Sequence, residues 1–112
     1  MKFRVIFHSE ARREATDAAR YIARQSSLNV ALRWFDGLSE CMDSLAHSPR
    51  RFGFAREHGQ IPEWELRQTI FKSHRIIFRV DGDRVQVLRI RHVAQDTLGP
   101  SDLTLPETNK PA

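Results

Sequence analysis

Residues 65–96, ELRQTIFKSHRIIFRVDGDRVQVLRIRHVAQD, constrain the fold more than any other part of this chain. Apolar and polar side chains alternate there in three short runs, and a period of two puts neighbouring residues on opposite faces of a sheet. Asp81-Gly82-Asp83 separates the last two runs with residues suited to a tight turn. The stretch therefore predicts three antiparallel strands. With a hairpin centred on Gly82, Val80 faces Val85 and Phe78 faces Val87. These side chains share a face with Ile76, and that face is assigned to a layer of helices. The opposite face then carries Arg75, Ile77, Arg79, Gln86, Leu88, Ile90 and His92, basic at its ends and apolar in the middle. A slip of one residue would exchange the two faces.

The residues before the sheet predict a strand and two helices. Phe3, Val5 and Phe7 alternate with Lys2, Arg4 and Ile6, as in a half-buried strand. Ser9 is a candidate N-cap for a helix whose narrow stripe is Ala11, Ala15, Ala18, Ala19 and Ile22. Ser26 and Ser27 offer a turn and a second N-cap. A second helix over 28–47 follows, with Ala31, Phe35, Leu38, Met42 and Leu45 stepping by four and three, and Trp34 and Cys41 beside them. Gly37 costs this helix about 1 kcal/mol relative to Ala; its missing side chain is expected to admit the first helix. Pro49 ends the second helix. A short connection makes the pair an antiparallel αα-hairpin.

Two stretches lack periodicity. Residues 48–64 form a long connection in which Phe52, Phe54 and Trp64 are expected to tether the chain to the core edge. Residues 99–112 hold three of the five prolines and read as an irregular tail, with Leu103 and Leu105 able to dock. The expected fold class is α+β: an N-terminal strand, an antiparallel helical hairpin and a three-stranded antiparallel sheet within one domain, 1–98, followed by the tail.

The length of 112 residues suits one domain with a modest core. No apolar run approaches the roughly 18 residues that span a bilayer. The opening Met1-Lys2-Phe3-Arg4 lacks the apolar core of a secretory signal, and Cys41, the single cysteine, has no internal partner. These features favour the cytosol.

The formal charge of +4 is unevenly spread. Residues 9–47 hold five Arg and six Asp or Glu, whereas residues 67–92 hold seven Lys or Arg and two Asp. A basic sheet can steer an acidic protein segment or a nucleic acid; a solvated, solubilising face is the alternative. The five histidines show no metal-binding spacing, and there is no phosphate-cradling glycine loop or nucleophile elbow. No metal or cofactor is expected. The arginines could stabilise a phosphoryl transition state in a metal-independent ribonuclease, with the 2′-hydroxyl as nucleophile. Such chemistry also needs an acid and a base, for which Glu57 and His92 are the candidates. Each has a structural alternative: His92 as a strand-end residue, Glu57 as a loop residue, and Arg75 as one half of an internal ion pair.

The order of these elements, with the wording of several of them, resembles the RelE/ParE superfamily of toxins from bacterial type II toxin–antitoxin modules. The similarity covers about residues 3–98. It is carried by SEARREATDAARYIARQS, the helix stop SPRR, Leu66-Arg67, the strand His74-Arg75-Ile76-Ile77-Phe78 and the strand Val87-Leu88-Arg89-Ile90-Arg91-His92. His74 stands where the family usually has Tyr.

The resemblance implies three classes of function. RelE-like members are ribosome-dependent mRNA endonucleases that use strand lysines and arginines and a late tyrosine. This chain keeps Arg75 but has Leu66 and Gln68 at the lysine positions, and its one tyrosine is Tyr21 on the first helix. Another nuclease branch uses a Glu–Arg–His set, loosely matched by Glu57, Arg75 and His92. The overall wording is closer to the ParE branch, which generally lacks the nuclease set and whose characterised members act on DNA gyrase. That branch is the favoured reading. The third class is a non-toxic relative that binds only an antitoxin. The resemblance further implies an antitoxin whose C-terminal part folds over the toxin. Arg67, Arg75, Arg79, Arg89 and Arg91 are assigned to partner recognition, with Ile77, Leu88 and Ile90 as the apolar patch that takes its anchors.

Overall fold

The computed structural model describes residues 2–103. Strand β1 (Arg4–Phe7) leads into helices α1 (Ser9–Gln25) and α2 (Leu28–Asp43), which form the expected hairpin. Two 3-10 turns, Ser44–Ala46 and Pro49–Arg51, follow α2. Strands β2 (Glu65–Phe71), β3 (His74–Asp81) and β4 (Arg84–His92) complete the sheet, and a helical turn α3 (Pro100–Leu103) ends the described chain.

The sheet has four strands, not three, in the order β1-β4-β3-β2. β1 pairs in parallel with β4, from Arg4 beside Arg84 to Phe7 beside Val87. β2–β3 and β3–β4 are antiparallel hairpins. Gly82 turns the second at φ 62°, a conformation that suits a residue without Cβ. The helix ends match the sequence chemistry at one cap and depart from it at two ends: α2 stops at Asp43, short of the expected 47, and gives way to the 3-10 turn Ser44–Ala46 before Pro49. Ser27 caps α2, its hydroxyl accepting the Val30 N–H at 3.1 Å. At α1 the cap residue is His8, and Ser9 is the first helical residue.

One side of the sheet meets the helices. Ala11 and Ala15 of α1 and Trp34, Leu38 and Met42 of α2 pack against Ile76, Phe78, Val80, Val85, Val87 and Ile90. Gly37 admits the ring of Phe71 rather than α1: a Cβ there would lie 2.7 Å from Phe71 Cζ.

Ile90 departs from the expected face because β4 carries a β-bulge. Val87 pairs with Phe78, but Arg89 pairs with Ile77, so Leu88 is an extra residue. The insertion reverses parity and returns Ile90 to the helix side. It also lies just beyond the end of β1, where β4 becomes an edge. Glu14 of α1 covers that edge, accepting the Ile90 N–H at 2.9 Å and gripping Arg89 at 2.9 and 2.8 Å.

The other side of the sheet is also covered. Ala55, Leu66, Ile77, Leu88, Leu98 and Leu103 form a second core, with Ile61 and Trp64 packed on it. Arg75, Ile76, Ile77 and Phe78 are all fully buried as a result, as in a strand between two layers. Leu103 is therefore seated in the domain, while Leu105 lies outside the described residues. Phe52 meets Phe78 edge-on at 6.1 Å and Trp64 joins the second core, but Phe54 is 55% exposed and stacks on His58. Among the described residues no helix is long and apolar enough to cross a membrane.

Candidate functional site

Strand β3 places Arg75 on the side away from the helices, and the connection before β2 brings Glu57 to meet it. The two form a paired, two-pronged ion bridge at 2.9 Å on each arm, and both side chains are wholly buried. Arg75 also donates to Gln68 Oε1 at 2.8 Å. Glu57 Oε2 accepts the Leu98 N–H at 2.9 Å. Burial by itself would raise the Glu57 carboxyl, but the hydrogen bonds from Arg75 and Leu98 and the guanidinium charge outweigh it and hold it below the ordinary carboxylate value. This cluster fastens three segments together: the connection, the sheet and the chain after β4.

His92 lies on the other side of the sheet. His74 pairs with His92 and Arg75 with Arg91, and successive residues of a strand face opposite ways. The His92 ring is exposed; its Nδ1 accepts the Ala94 N–H at 3.0 Å, and the ring meets His74 edge-on at 5.4 Å. His74 in turn meets Trp34 of α2 at 5.2 Å. Burial first, then the neighbouring His92 charge, holds the His74 imidazole below its ordinary value. The structure thus joins Glu57 to Arg75 and leaves His92 across the sheet from both.

The expectation that the second face lies open to a partner is corrected by the same geometry. Ile77 and Leu88 are core residues beneath the 55–64 connection and the 98–103 segment. The arginines around them have internal partners. Arg67 bonds Glu65 at 2.7 Å and lies 4.2 Å from the Phe54 ring. Arg79 lies 4.1 Å from the Trp64 ring, with Asp81 at 3.9 Å. Arg89 holds Glu14 and donates to the Asp102 carbonyl at 3.0 Å, and Arg91 donates to the Asp96 carbonyl at 3.2 Å. Strand alternation reveals two faces but cannot tell which of them a loop will cover. The pair Leu98 and Leu103, five residues apart after the last strand, was the available signal.

An exposed apolar groove lies on the helices instead. A groove of about 210 Å³ runs between α1 and α2, lined by Ala19, Ala23, Ala31 and Phe35. Leu28 and Leu32 rim it and are 65% and 54% exposed. These two leucines fall outside the stripe that packs on the sheet, so helical periodicity does not single them out. Among the described residues, no cluster of three or more His, Cys, Asp or Glu side chains is placed to hold a metal ion.

Comparison with known proteins agrees with this architecture. A family model described as "ParE toxin of type II toxin-antitoxin system, parDE" matches residues 5–97. No curated protein matches in sequence. A chain of the chromosomal ParDE TA system from P. aeruginosa superposes with a TM-score of 0.68 at 18% identity, covering 81% of this chain and 96% of that one. A chain of the YoeB dimer from Staphylococcus aureus gives a TM-score of 0.48 at 13% identity, covering 82% and 98%.

Proposed function

The chain belongs to the ParE toxin family, and from that premise we propose that it is the toxin of a bacterial type II toxin–antitoxin module, acting in the cytoplasm as a binding inhibitor of DNA gyrase and neutralised by a cognate antitoxin. The observation that carries the inhibitor reading is the state of Arg75. It is the arginine kept from the nuclease pattern, and it is enclosed in a bridge with Glu57 at no exposure. A ribonuclease needs groups that reach a scissile phosphate from two sides. Here the carboxylate is bound to the arginine, and the histidine stands beyond the sheet.

Partner recognition falls to residues that remain reachable. Arg67, Arg79, Arg89 and Arg91 keep partial exposure and stay in the proposal. Ile77, Leu88 and Arg75 support them from beneath. The apolar anchors of an antitoxin segment are reassigned to the groove at Leu28 and Leu32, which an amphipathic helix fits.

Expression without the antitoxin tests the reading. Growth arrest with DNA breaks and an SOS response, relieved by co-expressing the antitoxin, is the expected result. Codon-positioned cuts in translated message would replace the inhibitor by an mRNA endonuclease. Absence of any growth effect would leave a non-toxic antitoxin binder.

A further inference from the structure

Helix α1 and the end of the sheet that carries His74 and His92 bound a trough that shares only Arg89 and Arg91 with the partner surface proposed above. Three adjoining hollows of about 350, 400 and 420 Å³ run along it. The first shares Ala18, His74 and His92 with the second, and the second shares Ile22 and Trp34 with the third. Arg13, Arg89 and Arg91 wall one end, and Arg33 and Lys72 wall the other. Between them lie Tyr21 and the two imidazoles, with Trp34 as floor.

The charges of the trough do not cancel. Its two carboxylates are matched, Glu14 by Arg89 at 2.8 Å and Asp17 by Arg13 at 3.3 Å. Arg33 and Lys72 form no salt bridge with a carboxylate among the described residues, nor does Arg91, which borders the trough from the Arg75 side of the sheet and donates to the Asp96 carbonyl at 3.2 Å. Tyr21, between the two cationic ends, is 57% exposed. An open trough with cations at both ends and an exposed aromatic ring between them complements a flexible polyanion that carries flat rings.

We propose that this trough binds single-stranded nucleic acid, with phosphates at the two cationic ends and a base stacked on Tyr21. An acidic peptide would satisfy the cations equally well. It would, however, need aliphatic anchoring in the middle, and the exposed aliphatic groove lies elsewhere, at Leu28 and Leu32. The inference does not depend on the gyrase reading.

Fluorescence anisotropy of the full chain with labelled oligo-dT and oligo-rU of about 10 nucleotides tests it. Micromolar binding is expected, with a log–log salt slope near −2, from roughly three phosphates at about −0.7 each. Tyr21→Ala should weaken binding about tenfold, and Tyr21→Phe should restore it. Lys72→Ala should weaken binding about threefold. Arg84→Ala, which removes the same charge at the opposite end of the β3–β4 hairpin, should leave it unchanged. Unaltered melting temperatures would show that these exposed positions leave the fold intact. A preference between the two oligonucleotides would assign the trough to RNA or to DNA. No binding to either would overturn the proposal. So would equal losses from Lys72→Ala and Arg84→Ala, wild-type binding by Tyr21→Ala, or displacement by polyglutamate at the same concentration as by unlabelled oligonucleotide.

Discussion

Replacing Arg75 by Met tests whether the Glu57–Arg75 bridge organises the second core. The change removes the cation and leaves Glu57 at no exposure with its charge uncompensated. Breaking a buried pair from one side costs about 3–5 kcal/mol. At about 4–8 °C per kcal/mol for a domain near this size, the melting temperature should fall by on the order of 20 °C. Glu57→Gln should cost a similar amount, because the guanidinium is then the unmatched charge. The double variant should recover most of the loss. The amide oxygen introduced at position 57 can still accept the Leu98 N–H that Glu57 Oε2 holds at 2.9 Å, and neither side chain is then charged. Urea denaturation followed by fluorescence of Trp34 and Trp64 measures all four proteins, and the coupling energy should exceed about 2 kcal/mol. The pH dependence supplies the sign. The folded protein holds Glu57 below its ordinary value of 4.5, so its contribution is complete above that value and is lost as pH falls toward the depressed one. In Arg75→Met the carboxyl gains by protonation, so the gap between variant and wild type should close in acid. Additive losses in the double variant, or a single loss under about 1 kcal/mol, would refute the argument.

Three further changes probe other parts of the molecule. Leu103→Ala should cost about 2–5 kcal/mol by emptying a fully buried site, measured by the same denaturation and by faster proteolysis after residue 96. Gly37→Ala should destabilise by about 1–3 kcal/mol despite Ala's better helix propensity, because the new Cβ meets Phe71; Phe71→Leu should relieve the clash in a double variant, and thermal melts would show both. Leu32→Glu should change stability by no more than about 0.5 kcal/mol, since the site is 54% exposed, yet weaken antitoxin binding at least tenfold in a titration; unchanged affinity would remove the groove from the antitoxin interface.

The sequence made the helices, the hairpin at Gly82 and the helix-side core legible because each rests on a short-range period: Leu38 with Met42, or Phe78 with Val80. What it hid depended on contacts between distant segments. The parallel pairing of β1 with β4 joins residues about eighty positions apart, and nothing local to Arg4 or Val5 selects it over another edge. The bulge at Leu88 is silent because Val87-Leu88-Arg89-Ile90 alternates as well without an extra residue as with one. The sequence admits an internal ion pair for Arg75 but does not name Glu57 as its partner; family resemblance sets the two together only as chemistry. The open basic face failed for a physical reason: Ile77, Leu88 and the arginine stems made an apolar surface large enough that Leu98, Leu103 and Trp64 gain by covering it.

The extra residue in β4 has a consequence for how the chain tolerates change. It acts as a phase shifter between two half-strands, one in step with β1 and the other with α1 through Glu14. Excising Leu88 would close the bulge: Val87, Arg89 and Ile90 would oppose Phe78, Ile77 and Ile76 one to one, Ile90 would keep its place on the helix side, and the second core would lose the Leu88 side chain. A deletion at this one position should therefore leave β4 in register with β3 and cost mainly the buried Leu88 side chain, and insertions in the turn at Gly82, upstream of both halves, would likewise leave their relative phase untouched.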